Sequence, residues 1–270
     1  MKSIVNIALA QMDVVPGGRE TNLAQAWDLA AQARASGADM LLLPELWLDG
    51  YDLEQASEWA SAIGEGAFME MASLARASSL YAAGSLFERH AGGISNTAVL
   101  YNPDGELLGC YRKIHLFRLM QEQVYLVPGD RATMCHTPWG PVGLAICYDL
   151  RFPELFRTMA LAGALMFLVP AQWPVTRIEA WTLLARTRAL ENELVVAACN
   201  RCGADGDVHF AGQSLVVDPW GQILAKGTDQ TGAFLAQVDL GEIKKVRRYL
   251  PIYEDRRPGA YRISAAEEAK

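Results

Sequence analysis

The sequence has few histidines and cysteines and contains no phosphate-loop or dinucleotide-binding motif. Its four histidines are scattered along 270 residues without a short pair spacing. Cys199 and Cys202 form a single C-x-x-C pair in "CNRC", and no second pair completes a zinc site. We therefore expect neither a bound metal nor an organic cofactor.

Basic residues are outnumbered by acidic ones, 24 to 31, so the formal net charge is −7. Nucleic acids and anionic membranes attract basic surfaces, so neither is an expected partner. The basic residues at 244–248 lie in a predicted helix and are interpreted as a solvated face. The longest apolar stretch, near 159–174, is interrupted by glycine and proline and is too short to cross a bilayer.

The chain has five cysteines, an odd number without the density of small disulfide-bonded secreted domains. Its opening segment, "MKSIVNIALAQMD", turns polar after about ten residues, unlike a secretory signal. Together these features predict reduced thiols and a cytoplasmic location.

What the sequence has in abundance is apolar residues, at 51%, arranged as strands that alternate with helices. We predict strands in "SIVNIALAQMD", "ADMLLLPELW" and "YAAGSLFER", and helices in "ETNLAQAWDLAAQARASG" and at 66–78. "NTAVLYNPDGELLGCYRK" predicts a hairpin that turns at Asn102–Gly105. Strands this apolar are covered by helices on at least one face.

The second half of the chain is similar to the first. "GADMLLLPELW" at 37–47 matches "GALMFLVPAQW" at 163–173 in six positions, and the hairpin recurs as "QSLVVDPWGQILAKG". Two such halves predict two sheets packed face to face with helices outside. No linker divides them, so residues 1–270 are predicted to form one domain. The repeat fails at Glu45, which corresponds to Ala171, as expected for a site placed on a duplicated scaffold.

Three residues are candidates for chemistry. Cys147 ends a predicted strand before a helix that begins near Pro153, where a thiol pKa falls, although a cysteine there can also be core filler. Glu45, if buried, would have a raised pKa suited to general acid–base catalysis; otherwise it faces solvent or loop amides. Lys113, at the end of the hairpin, is either an oxyanion donor or a lysine that extends to solvent.

A resemblance joins these three residues. "LLLPELWLDGY", "YRKIHLF" and "AICYDLRFPEL" each resemble a signature segment of the nitrilase superfamily of carbon–nitrogen hydrolases, and they occur in that family's order. "ACNRCG", "FAGQSLVVDPWGQILA" and "RRYLPIYEDRRPGAY" extend the resemblance over nearly the whole chain. It implies a four-layer α-β-β-α sandwich and a homodimer or higher homo-oligomer. The segment at about 249–270, which contains proline and tyrosine beyond the last predicted helix, is interpreted as a tail that contacts a partner subunit.

The resemblance also implies a Glu–Lys–Cys triad that needs no cofactor. Cys147 would be the nucleophile, Glu45 the general base and acid, and Lys113 the stabiliser of the tetrahedral oxyanion. Glu122 would orient Lys113 and the substrate, and the backbone N–H of Tyr148 would hold the oxyanion.

The residues after the cysteine, Tyr148-Asp149, resemble the amidase branch. That branch includes ω-amidases, which hydrolyse the terminal amide of short 2-oxo dicarboxylic monoamides such as 2-oxoglutaramate. Arg151 would bind the substrate carboxylate or form a structural ion pair, and Tyr51 and Trp173 are further candidates for substrate binding.

Several alternatives stay open from the sequence. The same triad also serves nitrilases and N-carbamoyl amino acid amidohydrolases. A Cys–His hydrolase would instead pair Cys147 with His115 or His136, although apolar neighbours of His115 favour a structural role. A non-catalytic interaction module would retain these residues only as a relic site.

Overall fold

The computed structural model describes residues 2–261, which form two six-stranded sheets, a small hairpin and eight α-helices. The strands are β1 (Ile4–Gln11), β2 (Met40–Leu42), β3 (Tyr81–His90), β4 (Gly93–Tyr101), β5 (Leu107–Arg112), β6 (Thr133–Thr137), β7 (Gly140–Leu144), β8 (Met166–Ala171), β9 (Val195–Asn200), β10 (Cys202–Asp205), β11 (Val208–Ala211), β12 (Leu215–Val217), β13 (Ile223–Lys226) and β14 (Gly232–Asp239). The helices are α1 (Arg19–Ala35), α2 (Ala56–Trp59), α3 (Gly66–Ser78), α4 (Glu122–Tyr125), α5 (Pro153–Leu161), α6 (Ile178–Asn192), α7 (Gly241–Tyr249) and α8 (Ile252–Asp255). Short 3₁₀ helices span Arg118–Met120, Cys147–Arg151, Val175–Arg177 and Pro258–Ala260.

The two large sheets have corresponding strand orders. The first is β14-β1-β2-β3-β4-β5 and the second, read from the equivalent edge, is β6-β7-β8-β9-β12-β13. In each sheet the second, third and fourth strands are parallel, and the remaining pairs are antiparallel. Strands β10 and β11 form a separate hairpin that follows β9.

Alternating side chains of each strand pack into different layers, as the two-residue period of a strand requires. On β1, Ile7 and Leu9 face the core between the sheets, whereas Ala8 and Ala10 pack in the cluster beneath α1 and α3. Helices α5 and α6 cover the outer face of the second sheet and contribute apolar side chains such as Phe156 to the main core. The predicted α-β-β-α sandwich is therefore confirmed.

The prediction for "ADMLLLPELW" was wrong in extent. The strand β2 ends at Leu42, and residues 45–49 form a turn in which Leu46 has a φ of 45°. Pro44 lacks the N–H that would continue the ladder, so the chain leaves the sheet there. Glu45 consequently lies in the turn just beyond the strand.

The tail predicted at about 249–270 is described only as far as Tyr261, and its residues 262–270 lie outside the described part of the chain. Part of this segment packs on its own chain. The hydroxyl of Tyr253, in α8, donates to the carbonyl oxygen of Asn192 at 2.5 Å, and Arg247 lies over its ring.

Within residues 2–261, no helix has both the length and the apolar character needed to cross a membrane. Over the same range, no cluster of three or more histidine, cysteine, aspartate or glutamate side chains has the arrangement of a metal site. All five cysteines carry free thiols.

Candidate active site

The centre of the site is a buried group of three charged side chains. Lys113 directly follows β5, and its Nζ donates to Glu45 Oε1 at 2.8 Å and to Glu122 Oε1 at 2.7 Å. All three side chains are at most 1% exposed. Lys113 therefore does not extend to solvent, and it neutralises one of two carboxylates that burial would otherwise disfavour.

Glu45 is held in place by residues from both halves of the chain. Asn96 Nδ2, on β4, donates to its Oε1 at 2.8 Å, and the backbone N–H of Gln172 donates to its Oε2 at 3.0 Å. The Gln172 side chain also donates to the Glu45 carbonyl oxygen at 2.7 Å. The Glu45 N–H donates to the carbonyl of Ala171 at 3.4 Å, so Glu45 contacts its own counterpart in the repeat.

Glu122 begins the one-turn helix α4 and is completely buried. The Tyr51 hydroxyl donates to its Oε1, and the backbone N–H of Phe117 donates to its Oε2. Both carboxylate oxygens are therefore occupied, which fixes the side chain on which Lys113 rests.

Cys147 lies in a backbone turn that Asp149 holds together. Its φ of 45° is left-handed, an unusual conformation for a residue other than glycine. Asp149 Oδ2 accepts from the Ile146 N–H at 2.8 Å and from the Tyr111 hydroxyl at 2.8 Å. Its Oδ1 lies 2.7 Å from His115 Nδ1, so His115 is engaged in supporting this turn.

The expectation of a lowered thiol pKa at Cys147 was wrong. Burial raises the pKa of the thiol well above its usual value, the Glu45 charge raises it further, and Lys113 only partly opposes this. The α-helix begins at Pro153, beyond the 3₁₀ helix, so its N-terminus is not at the thiol.

The pKa of Glu45 is raised, as expected for a buried carboxyl group. Burial raises its pKa, Lys113 opposes the rise, and the negative charge of Glu122 adds to it. Burial alone would lower the pKa of Lys113, but Glu122 and Glu45 raise it well above the usual lysine value. Lys113 is thus a permanent cation, whereas Glu45 and Cys147 are neighbours that both hold a proton more tightly than usual.

A cavity of about 260 Å³ opens over Cys147 and Lys113. The three residues predicted to bind substrate, Tyr51, Arg151 and Trp173, all line this cavity. Tyr148 lines it as well. Arg151 forms no ion pair in the described part of the chain, and its guanidinium lies 5.2 Å from the centre of the Trp173 ring. The structural ion pair considered for it is therefore not found within residues 2–261.

Sequence reasoning missed several residues of the site. Gln172 was visible in the repeat as a polar residue where the first half has Leu46, but nothing indicated that it contacts Glu45. Asp149 was noted only as a neighbour of the cysteine. Arg177 and the hairpin β10–β11, which both line the cavity, carried no signal in the sequence.

Comparison with known proteins gives consistent results. Residues 6–248 match the sequence profile of the family described as "Carbon-nitrogen hydrolase". The chain is 36% identical to the 2-oxoglutaramate amidase of Bacillus subtilis (strain 168), covering 94% of this chain and 98% of that protein. It is 35% identical to the omega-amidase NIT2 of Mus musculus, covering 97% and 99%. The crystal structure of Saccharomyces cerevisiae Nit3, a member of branch 10 of the nitrilase superfamily, superposes with a TM-score of 0.87 at 29% identity, covering 95% and 98%.

Proposed function

The chain belongs to the carbon–nitrogen hydrolase family, and we propose that it is an amidase that releases ammonia from a small carboxylated amide. The proposed substrate class is that of 2-oxoglutaramate, which is supported by the names of similar proteins. The observation that carries the proposal is the buried Glu45–Lys113–Glu122 group beside the Cys147 thiol at a cavity.

In the first step, Glu45 takes the proton of the Cys147 thiol, and Sγ attacks the amide carbon. A carbon–sulfur bond forms and the carbonyl electrons move to oxygen, giving a tetrahedral oxyanion. Lys113 has three N–H donors, of which two bind Glu45 and Glu122. The third serves the oxyanion, together with the backbone N–H of Tyr148.

In the second step, protonated Glu45 gives its proton to the amide nitrogen. The carbon–nitrogen bond breaks, ammonia leaves, and a thioester with Cys147 remains. In the third step, Glu45 takes a proton from a water molecule whose oxygen attacks the thioester. The carbon–sulfur bond breaks, the acid product leaves, and the proton on Glu45 returns to the thiolate. A raised pKa at Glu45 suits both directions of transfer near neutral pH.

The remaining residues position this chemistry. Glu122 orients Lys113, and Tyr51 holds Glu122 while lining the cavity. Trp173 forms part of the cavity wall, and Arg151 binds the substrate carboxylate. No step calls for a metal or an organic cofactor. A cytoplasmic homodimer stays part of the proposal, and the free thiols are consistent with a reducing compartment.

The alternatives are less well supported by the geometry. His115 is engaged with Asp149, and His136 is exposed on β6, whereas Glu45 adjoins the thiol closely enough to raise its pKa. Nitrilase and N-carbamoyl amidohydrolase activities would use the same three residues and differ only in substrate. A relic site would not need a fully hydrogen-bonded charged group next to the cavity.

The test is an ammonia-release assay with 2-oxoglutaramate, a short aliphatic nitrile and an N-carbamoyl amino acid. We expect 2-oxoglutaramate to be the best substrate. Cys147→Ala and Lys113→Ala should each lower kcat by at least about 10³-fold, because the nucleophile or the oxyanion donor is lost. Cys110→Ala, a half-buried thiol outside the cavity, is the matched control and should retain activity.

Faster turnover of the nitrile or the carbamoyl compound would replace the amidase proposal with that activity. Retention of most activity by Lys113→Ala would favour the Cys–His mechanism. Absence of activity in the wild type on the entire panel would refute 2-oxoglutaramate as the substrate and favour the non-catalytic alternative.

A further inference from the structure

A second arginine lines the cavity near the nucleophile. Arg177 ends the 3₁₀ helix that follows β8, and it shares the cavity with Arg151 from the turn of Cys147. The guanidinium of Arg177 lies 5.3 Å from the centre of the Phe117 ring, as that of Arg151 lies 5.2 Å from Trp173. Both rings also line the cavity. Each arginine is therefore supported by an aromatic wall, an arrangement that limits the motion of a guanidinium plane.

Neither guanidinium is neutralised within residues 2–261. No described carboxylate lies within 4.0 Å of Arg151 or Arg177, and neither side chain donates a hydrogen bond to another described residue. Asp205 and Asp207 line the same cavity from the hairpin β10–β11 without pairing with either arginine. Two cations with unused N–H donors thus face one small cavity.

We propose that Arg177 is a specificity-determining residue that forms, with Arg151, a two-arginine subsite for the acid end of the substrate. This inference rests on the proposed function and assigns a second residue to the recognition of its 2-oxo acid monoamide substrate. The carboxylate and the neighbouring oxo group of such a compound offer only hydrogen-bond acceptors, and guanidinium groups offer only donors. The subsite is therefore complementary to the carboxylate and oxo group of the substrate in both charge and hydrogen bonding.

The same chemistry disfavours the corresponding α-amino compound. Glutamine differs from 2-oxoglutaramate by an ammonium group in place of the oxo group, and two guanidinium groups repel that charge. If Asp205 and Asp207 instead received the ammonium group, glutamine would be the better substrate. Comparison of these two amides therefore distinguishes a subsite for 2-oxo acids from one for zwitterions.

The experiment measures kcat/KM for 2-oxoglutaramate, glutamine and the uncharged amide butyramide. We expect wild type to prefer 2-oxoglutaramate to both. Arg177→Gln should lower the ratio of 2-oxoglutaramate to butyramide by about 10- to 100-fold, because charge-assisted hydrogen bonds are lost. Arg177→Lys should lower it less, since the charge stays but the paired donors do not. Arg131→Gln removes a charge from an 80% exposed side chain outside the cavity, so it should keep the wild-type ratio.

A binding measurement separates this inference from the proposed mechanism. In protein carrying Cys147→Ala, which cannot form the thioester, the added change Arg177→Gln should weaken 2-oxoglutaramate binding at least about tenfold. Circular dichroism of each variant shows that it is folded. An unchanged ratio and unchanged binding, or a preference for glutamine, would overturn the subsite even if Cys147 proves to be the nucleophile. If Arg177→Gln weakens binding although the wild type hydrolyses none of the three amides, the subsite is retained and the proposed amide hydrolysis is refuted.

Discussion

The two halves of the chain have equivalent strands but different side chains at the positions that form the site. Matching registers relate β1, β2 and β3 to β7, β8 and β9, since Ile7 pairs with Met40 as Val142 pairs with Met166. Counting along these registers makes Met12 the counterpart of Cys147, just as Ala171 is the counterpart of Glu45. Each half therefore supplies residues that the other lacks, and the site forms only where the two sheets meet.

The connections differ as well as the side chains. In the first half β3 passes to β4 through a tight turn, whereas β9 is separated from β12 by the hairpin β10–β11, which lines the cavity. Arg201, at the base of this hairpin, occupies the position of the apolar Phe87 in the first half. The strands keep the repeat because the core requires it, whereas departures such as Glu45 and Arg201 lie at or beside the site.

The largest expected effect comes from making the halves alike at Glu45. Glu45→Ala, or the more conservative Glu45→Gln, should lower kcat for amide hydrolysis by about 10²–10⁴-fold, the usual contribution of a general acid–base group. Ammonia release measures the loss. The reciprocal change Ala171→Glu, combined with Glu45→Ala, should not restore activity, because Lys113 and Asn96 donate to the side chain at position 45.

Either variant can also lose stability, since Lys113 would be left with one carboxylate. Thermal unfolding by circular dichroism is the control for this effect. A folded Glu45→Gln protein with more than a tenth of wild-type kcat would contradict the assigned role.

An intermediate effect is expected at Arg201, which is fully buried and donates to Gln172 Oε1 at 3.2 Å. Since Gln172 binds Glu45, Arg201 acts on the site through another residue. Arg201→Met should lower kcat/KM by about tenfold and the melting temperature by several degrees, because buried hydrogen bonds are lost. Phe87→Met is the matched change in the first half and should affect stability alone. Equal kcat/KM values for the two variants would show that Arg201 has only a structural role.

The smallest effect concerns the helix ends that precede β3 and β9. Ser79 and Glu193 follow α3 and α6 with left-handed φ values of 55° and 46°. Glu193 is buried, and its two carboxylate oxygens have no hydrogen-bond partner among the described residues. Relief of the backbone should by itself raise the melting temperature of Glu193→Gly by about 2–4 °C, and removal of the buried carboxylate should add to this gain. Ser79→Gly relieves only backbone strain, so the difference between the two gains reports the buried carboxylate.

The destabilisation caused by the buried Glu193 carboxylate should depend on pH, and Glu193→Gln isolates it because this change keeps the side-chain size. Burial raises the pKa of Glu193, although Arg247 and Arg157 oppose the rise. The folded state therefore holds this proton more tightly than the unfolded state, and the stabilisation is present at low pH and lost as pH rises through the folded pKa. The advantage of Glu193→Gln over wild type should widen from pH 4 to pH 7 in thermal melts. A constant or shrinking advantage would show that the two arginines dominate.

The sequence predicted the sandwich because its evidence is repeated along the chain. Strand patterns, hairpin turns and the match between 37–47 and 163–173 can each be recognised in short segments of the chain. The resemblance to a family, rather than spacing, brought Glu45, Lys113 and Cys147 together, and the structure places them in one site. Gln172, Asn96 and Arg201 were missed because their roles depend on contacts between residues far apart in the chain, which leave no periodic pattern in the sequence.

The thiol pKa was mispredicted for a related reason. A helix terminus can be recognised in a sequence, but the burial of a side chain depends on residues far away in the chain. Here burial dominates at Cys147, and the 3₁₀ turn displaces the helix. Arg177 was equally invisible, because a lone arginine in "PVTRIEAW" reveals nothing of the cavity it faces.

The pairing of β1 with β14 delays completion of the first sheet during biosynthesis. All eight residues of β1 pair with β14, from Ile4 with Asp239 to Gln11 with Gly232, so the earliest strand made is completed by the last. At about 5–20 residues per second, roughly 10 to 45 s separate their synthesis on the ribosome. During that interval one edge of an apolar strand has no partner, and such edges promote aggregation. Newly made chains should therefore depend on chaperones until residue 239 has emerged.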